Sequence, residues 1–271
     1  SRYLTGTIDM HNSLEAKLAK FVNKESALLF STGYQAGQGV VEPLVGRHDT
    51  IFSDKDNHAS IQCANRLVKG TYGTEIVRYH HNDMTDLEKR LDQKKDKDGA
   101  KLIVTDGVFS TFGDIPDMPK IVQLAKEHGA QTLVDDAHAF GVIGKGGRGT
   151  ASEFGLEDDI DLIVCTFSKT LASIGGFVAG EERVINYLKH YSPALIFSAS
   201  PTPASVASAD AALDILIEQS ELVEQLNYNS EYIRKGLIDM GYDVFPSRTA
   251  IVSIVIGDDT KGLEIVNESE E

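Results

Sequence analysis

The chain has 271 residues, a formal net charge of −15 at pH 7, a 41% hydrophobic share, 24 Gly and 7 Pro. That suits one large folded domain with the start of a second, and it excludes collagen-like, disordered and disulfide-scaffold classes. The carboxylate excess excludes a large nucleic-acid footprint, although one phosphate group needs only a helix N-terminus and a few donors.

In chain order, Asn12-Ser13 reads as a helix cap followed by helical spacing of Leu14, Ala16, Leu18, Ala19 and Phe21, and Ala27 to Phe30 as a short apolar strand. Strand-like runs follow at Thr50 to Ser53, Glu75 to Tyr79, Lys101 to Thr105, Thr132 to Asp135, Leu162 to Thr166 and Gly176 to Ala179. Helical periodicity separates most of them, as at Met84 to Leu91 and Met118 to His128. Short continuous apolar strands alternating with helices predict a doubly wound α/β domain, its mostly parallel sheet sandwiched by helices. After Ser200-Pro201-Thr202-Pro203 an Ala- and Leu-rich helical stretch runs to about Met240, and Ile251 to Ile256 reads as a strand. The expected division is a large domain over 1–205, then a linking helix and the start of a smaller C-terminal α/β domain over 206–271.

No apolar run reaches the length of a membrane span and no signal segment opens the chain, which predicts a cytoplasmic protein. Cys63 and Cys165 have neither CxxC nor metal-like spacing and fit a reducing compartment. Ser1 in place of Met and the end Asn267-Glu268-Ser269-Glu270-Glu271 suggest a chain trimmed at both ends, its acidic terminus a solvated tail.

Ligands of an open parallel sheet gather outside the carboxyl ends of its strands. Four of those ends carry chemistry: Ser31-Thr32-Gly33-Tyr34; Asp56, Asn57 and His58; Asp135, Asp136 and His138; Thr166, Ser168 and Lys169. Together they meet the needs of pyridoxal phosphate. Backbone N–H groups of Gly33 and Tyr34, with hydroxyls of Thr166 or Ser168, suit the phosphate, and the Lys169 amine suits the aldehyde. Asp135 suits the ring nitrogen, which must stay protonated, while His58 suits the flat ring face and His138 the phenolic oxygen. Singly each has a plainer reading: a surface lysine, a capping or metal-binding Asp pair, a common turn, a locally bonded histidine. Gly141 to Gly149 lacks P-loop spacing and reads as a surface turn with Arg148 near an anion. His80-His81 is poorly spaced for a metal, and no GxSxG elbow occurs.

The runs Phe30-Ser31-Thr32-Gly33-Tyr34, Asp56-Asn57-His58-Ala59-Ser60, Thr105-Asp106-Gly107-Val108-Phe109-Ser110, Val134-Asp135-Asp136-Ala137-His138 and Thr166-Phe167-Ser168-Lys169 resemble the α-oxoamine synthases. These are pyridoxal 5'-phosphate (PLP)-dependent transferases of fold type I, and the resemblance covers nearly the whole chain. It implies that Lys169 forms the Schiff base, Asp135 partners the ring nitrogen, His58 stacks on the ring, and His138 bonds the phenolic oxygen with Ser110 nearby. Gly33, Tyr34 and Thr166 would hold the phosphate, and Ser198 and Ala199 would reach the phosphate of a neighbouring subunit, implying a homodimer with shared sites. Ser1 to Thr7, Thr166 to Ser173 and Phe197 to Ser208 are most similar to the bacterial serine palmitoyltransferases of that family.

The implied reaction is a decarboxylating condensation of an amino acid with an acyl-CoA, here L-serine and palmitoyl-CoA to 3-ketodihydrosphingosine, the first step of sphingolipid biosynthesis. Lys169 would take the α-proton, a transfer favoured where burial and a nearby cation lower its pKa. A lipid product would call for peripheral contact with the inner membrane. The arginine that grips the substrate carboxylate is expected beyond the end of this chain. Other members, such as 8-amino-7-oxononanoate synthase and glycine C-acetyltransferase, are the alternatives, as is a non-catalytic subunit, against which Lys169 counts.

Overall fold

The computed structural model describes residues 1–269; Glu270 and Glu271, part of the expected acidic tail, lie outside them. Helix α1 (Asp9–Phe21) leads to β1 (Ser26–Phe30) and α2 (Gly33–Leu44). Then come β2 (Thr50–Asp54), α3 (Ala59–Tyr72), β3 (Glu75–Tyr79), α4 (Met84–Asp92), β4 (Lys101–Asp106), α5 (Met118–His128) and β5 (Ala130–Asp135). The short α6 (Thr150–Phe154) precedes β6 (Leu162–Thr166) and β7 (Gly176–Gly180). Helices α7 (Glu182–Tyr191), α8 (Pro193–Ile196), α9 (Pro203–Glu218), α10 (Glu221–Asp239) and α11 (Asp259–Ser269) complete the described chain.

The strands form one sheet in the order β1-β7-β6-β5-β4-β2-β3. Strands β2 to β6 pair in parallel, whereas β7 is antiparallel to both β6 and β1. Two reversals leave β1 pointing the same way as β6. Alternate residues of each strand therefore feed two separate cores, as a period of two requires. Phe52, Ile103, Val134, Ile163 and Phe177 pack with Leu14, Leu87, Ile121 and Leu213 on one face. Ile51, Leu102, Leu133, Val164 and Val178 pack with Val40, Ile61 and Leu188 on the other. Strands β4, β6 and β7 are buried on both faces and carry continuous apolar stretches, whereas the edge strand β3 is only partly buried, and each filled Leu, Ile or Phe position contributes about 1.5–3 kcal/mol.

Three expectations are corrected. Asn12 and Ser13 lie inside α1, which starts at Asp9; the Ile8 N–H donates to His11 Nδ1 at 3.1 Å in place of a hydroxyl cap. Ile251 to Ile256 form no strand, only an isolated bridge between Val244 and Ile254, because no neighbouring strand is there to extend the pairing. The glycine turn at 141–149 packs inward, with Gly141, Gly147 and Gly149 buried. Its Arg148 donates to the Lys145 carbonyl at 3.1 Å and lies 5.4 Å over the Phe21 ring.

Candidate active site

The carboxyl ends of β1, β2, β4, β5 and β6 converge with the start of β7 on one edge of the sheet, and a cavity of about 330 Å³ opens there. Gly33, Tyr34, His58, Asp135, Thr166, Ser168 and Lys169 all line it, together with Ser60, Cys165 and Ser173 to Gly175. Its size falls in the usual range for small-molecule sites. A larger cavity of about 510 Å³ lies at the opposite strand ends. There the Lys24 ammonium is already tied to the Glu157 and Ile160 carbonyls.

Each wall has a local cause. The Thr32 side chain caps α2 by accepting from the Gln35 N–H at 3.1 Å, and the Thr32 carbonyl takes the Ala36 N–H. The N–H groups of Gly33 and Tyr34 are left without a partner among the described residues, two orphan donors at the positive end of a helix facing the cavity. A Cβ on Gly33 would sit 2.5 Å from Thr166 Cβ, and one on Gly176 would sit 2.6 Å from Gly33 Cα. Glycine at both places lets helix and strands close into a cradle. Thr166 Oγ1 and Ser168 Oγ, 2.9 Å apart, add hydroxyls to it.

His58 is the N-cap of α3, with Nδ1 accepting from the Ser60 N–H at 3.3 Å and 2.8 Å from Ser60 Oγ. Its backbone N–H donates to both carboxylate oxygens of Asp106 at 3.2 Å. Asn57 ties the same turn to β4: its side chain donates to the Val104 carbonyl at 2.8 Å and accepts the Asp106 N–H at 3.0 Å.

Asp135 is buried and accepts the Ala137 N–H at 3.1 Å. Burial pushes its carboxyl above the usual range, while the Ala137 hydrogen bond and the charges of His58 and Lys169 pull it back. Asp106, the β4 residue in register with Asp135, is raised still more, first by burial and then by Asp135 itself. Two carboxyls this close in a dry setting favour a cation between or beside them. Burial, with Lys169 and His58 nearby, lowers His138 to about 4, so at neutral pH it carries a neutral ring. Lys169 itself is exposed at the mouth rather than buried as its proton-transfer role led us to expect.

Not every anticipated residue lines the cavity. His138 stands behind the lining, within electrostatic reach of Lys169 and His58. Ser110 is exposed on the loop after β4 and away from the lining. Ser198 Oγ accepts from Gln35 Nε2 at 2.9 Å and the Ala199 carbonyl from Ser31, which seats this segment against the start of α2. Asp106 and Ser60 were missed as site residues, although both lie inside quoted motifs and Asp106 is a carboxylate at a strand end. Cys63, whose sulfur accepts from Arg66 at 2.7 Å, was missed too; a Tyr34 hydrogen bond, then Arg66, lowers its thiol pKa. Among the described residues no cluster of His, Cys, Asp or Glu could hold a metal ion.

The model of the aminotransferase class I and II family matches residues 1–268. Serine palmitoyltransferase of Sphingobacterium spiritivorum is 48% identical over 96% of this chain and 64% of its own length. The 8-amino-7-oxononanoate synthase of Thermoanaerobacter pseudethanolicus is 43% identical over 97% of this chain and 66% of its own. Among solved structures, Sphingomonas wittichii serine palmitoyltransferase superposes with a TM-score of 0.91 at 37% identity, over 97% of this chain and 65% of that one. The S. paucimobilis enzyme with a bound PLP–myriocin aldimine gives a TM-score of 0.90 at 37% identity, over 96% of this chain and 67% of that one. The chain spans 64% of the first of these relatives. With its seven-stranded sheet matching these structures, the chain belongs to the aminotransferase class I and II family and has the fold of type I PLP-dependent enzymes.

Proposed function

We propose that this chain is the greater part of an α-oxoamine synthase that binds PLP and condenses L-serine with palmitoyl-CoA, releasing CO₂ and CoA, to give 3-ketodihydrosphingosine. The observation that carries the reading is the meeting, on one cavity, of Lys169, Asp135 and two unpartnered helix N-terminal N–H groups. A phosphate fits the cradle at Gly33 and Tyr34, with the Thr166 and Ser168 hydroxyls as further donors. The high identity to serine palmitoyltransferases supports the choice of substrates. Residues 1–205 act as the cofactor-binding domain, and 206–271 are the linking helix and the start of the smaller one.

When bound, PLP supplies an electron sink for a carbanion at the amino-acid Cα. The chain contributes the rest. Lys169 Nζ would hold the cofactor through its aldehyde carbon and, once freed by the incoming amino acid, would take the α-proton. The Asp135 carboxylate, held by the Ala137 N–H, keeps a proton on the ring nitrogen; a cation there offsets the burial that otherwise raises Asp135. The neutral His138 ring would supply an N–H for the phenolic oxygen, and the His58 ring, held by Ser60, would stack on the ring face.

A homodimer with shared sites completes the reading, with Ser198 and Ala199 extending towards the partner. Phe197, 86% exposed, and Tyr191, 61% exposed, flank that segment and give it an apolar face to bury. The protein works in the cytoplasm, peripheral to the inner membrane where the lipid product is delivered; among the described residues no helix is long and apolar enough to cross a membrane.

The test is CoA release by the full-length enzyme with serine, alanine and glycine against palmitoyl-, pimeloyl- and acetyl-CoA. Turnover with serine and palmitoyl-CoA is expected. Preference for alanine with the pimeloyl thioester would move the assignment to 8-amino-7-oxononanoate synthase, and preference for glycine with acetyl-CoA to glycine C-acetyltransferase. Borohydride reduction should trap the cofactor on the peptide containing Lys169. Lys169→Ala should remove both the visible absorbance and turnover with the circular dichroism unchanged.

A further inference from the structure

One histidine that the chemistry above does not use is held unusually firmly. His81, in the turn between β3 and α4, places Nδ1 3.1 Å from Asp54 Oδ1 and Nε2 2.8 Å from Asp114 Oδ2. The Phe109 ring meets it edge-on with centroids 4.4 Å apart. Asp54 is the last residue of β2 and its side chain is 1% exposed. Among the described residues no lysine or arginine pairs with either Asp54 or Asp114, so the imidazole is their cationic partner.

Asp54 also builds the turn that ends in His58. Its Oδ1 accepts the Asp56 N–H at 2.9 Å, its Oδ2 accepts the Asn82 N–H at 2.8 Å, and its carbonyl accepts the Asn57 N–H at 3.4 Å. On the far side Asp114 belongs to the loop after β4, where its carbonyl accepts the Phe109 N–H at 3.0 Å. One ring thus joins the end of β2, the β3–α4 turn and the β4–α5 loop. An imidazolium can donate to both carboxylates at once; a neutral ring can donate to only one.

We propose that His81 is a positioning residue of the cofactor site: by bridging Asp54 and Asp114 through both ring nitrogens, it fixes the turn that presents His58 to the cavity. The groups that face the ring are Asp54, Asp114 and, at 3.8 Å, Asp56. Burial works against a charge on His81, but hydrogen bonds and charges of Asp54 and then Asp114 outweigh it and raise its pKa above the ordinary histidine value. The bridge is whole at lower pH and is lost as pH rises through that raised pKa. The charge has a second consequence. Asp54 lies within electrostatic reach of Asp106 and helps raise it, so a cation on Asp54 reduces the negative potential on the Asp106–Asp135 carboxyl pair.

The inference rests on the cofactor assignment made above, and its test separates the two. Full-length wild type, His81→Gln and Asp114→Asn are compared by amide hydrogen exchange over residues 54–60 without cofactor, and by titration with PLP across pH. Ring NMR of the wild type locates the His81 titration. Both substitutions are expected to speed exchange over 54–60 and to weaken PLP binding about tenfold, roughly 1.4 kcal/mol. His81→Gln should also erase the step in affinity that the wild type shows at the His81 titration, and Asp114→Asn, which takes one carboxylate from the ring, should move that step to lower pH. Asp114→Asn keeps an acceptor in place, so it serves where His81→Gln fails to fold. Wild-type exchange rates and an unchanged pH profile in a folded variant would overturn the proposal. If the wild type takes up no PLP on Lys169, the cofactor assignment fails, while the exchange over 54–60 still decides the role of His81.

Discussion

At Gly33 there is no room for a side chain, because α2 begins 2.5–2.6 Å, measured from a would-be Cβ, from the Thr166 side chain. Gly33→Ala should therefore push the helix start away from β6, at about 1–3 kcal/mol of overpacking. PLP affinity, measured by absorbance titration, should fall by at least tenfold while helical content is retained. An unchanged affinity would show that the anion does not sit there. At this scale the sequence was legible wherever a residue stands at the end of a parallel strand. Gly33, His58, Asp135 and Lys169 are far apart in the chain, but five strand ends on one edge bring them to a single cavity. Ser110 follows β4 on a loop, where chain order does not determine direction, and it ends up exposed. His81 was judged only as half of a metal pair; that test looks for a second ligand of the same kind and is blind to one aspartate at the end of β2 and another in the loop after β4.

Among the elements, α9 shows how a short sequence signal becomes structure. Thr202 Oγ1 accepts the Ser205 N–H at 3.2 Å and Pro203 fills the first turn, where a missing N–H costs nothing. Thr202→Ala should cost about 1 kcal/mol of stability, read by urea denaturation, with Thr202→Ser near wild type. The central strands were legible because burial on both faces gives them continuous apolar stretches. The same logic failed at Ile251 to Ile256, an apolar run whose Ile254, Val255 and Ile256 remain 38–41% exposed. A strand needs a partner, and periodicity within one segment cannot supply it. The start of α1 was misplaced for a related reason: His11 does there what a capping hydroxyl or carboxylate usually does.

For the molecule as a whole, buried carboxyls set how stability responds to pH. Asp136 is fully enclosed, accepts the Thr150 N–H at 2.9 Å, and is raised by burial from 3.8 to about 7. Between those values the folded chain holds a proton that the unfolded chain releases, so this group's contribution is fully present below about 3.8 and is lost as pH rises through about 7. Asp106 and Asp135 are shifted in the same direction. Unfolding free energy, measured by urea at a series of pH values, should thus decline over that window, and Asp136→Asn should make the decline shallower. A slope unaltered by the substitution would place the proton elsewhere.

The antiparallel strand β7 carries one more consequence, for the order in which the molecule is assembled. Among the described residues, strand β1 finds its only partner in β7, joining Ser26 to Gly180 and Phe30 to Gly176 across some 150 residues of chain. During synthesis from the N-terminus, the turn after β1 emerges early, yet the sheet edge that holds it does not exist until β7 has left the ribosome. The strands on either side of Asp135 can pair before then. The cradle at Gly33 is accordingly the last part of the cavity to close, and a nascent chain that ends between Lys169 and Gly180 has the lysine but no complete β7 to hold that cradle.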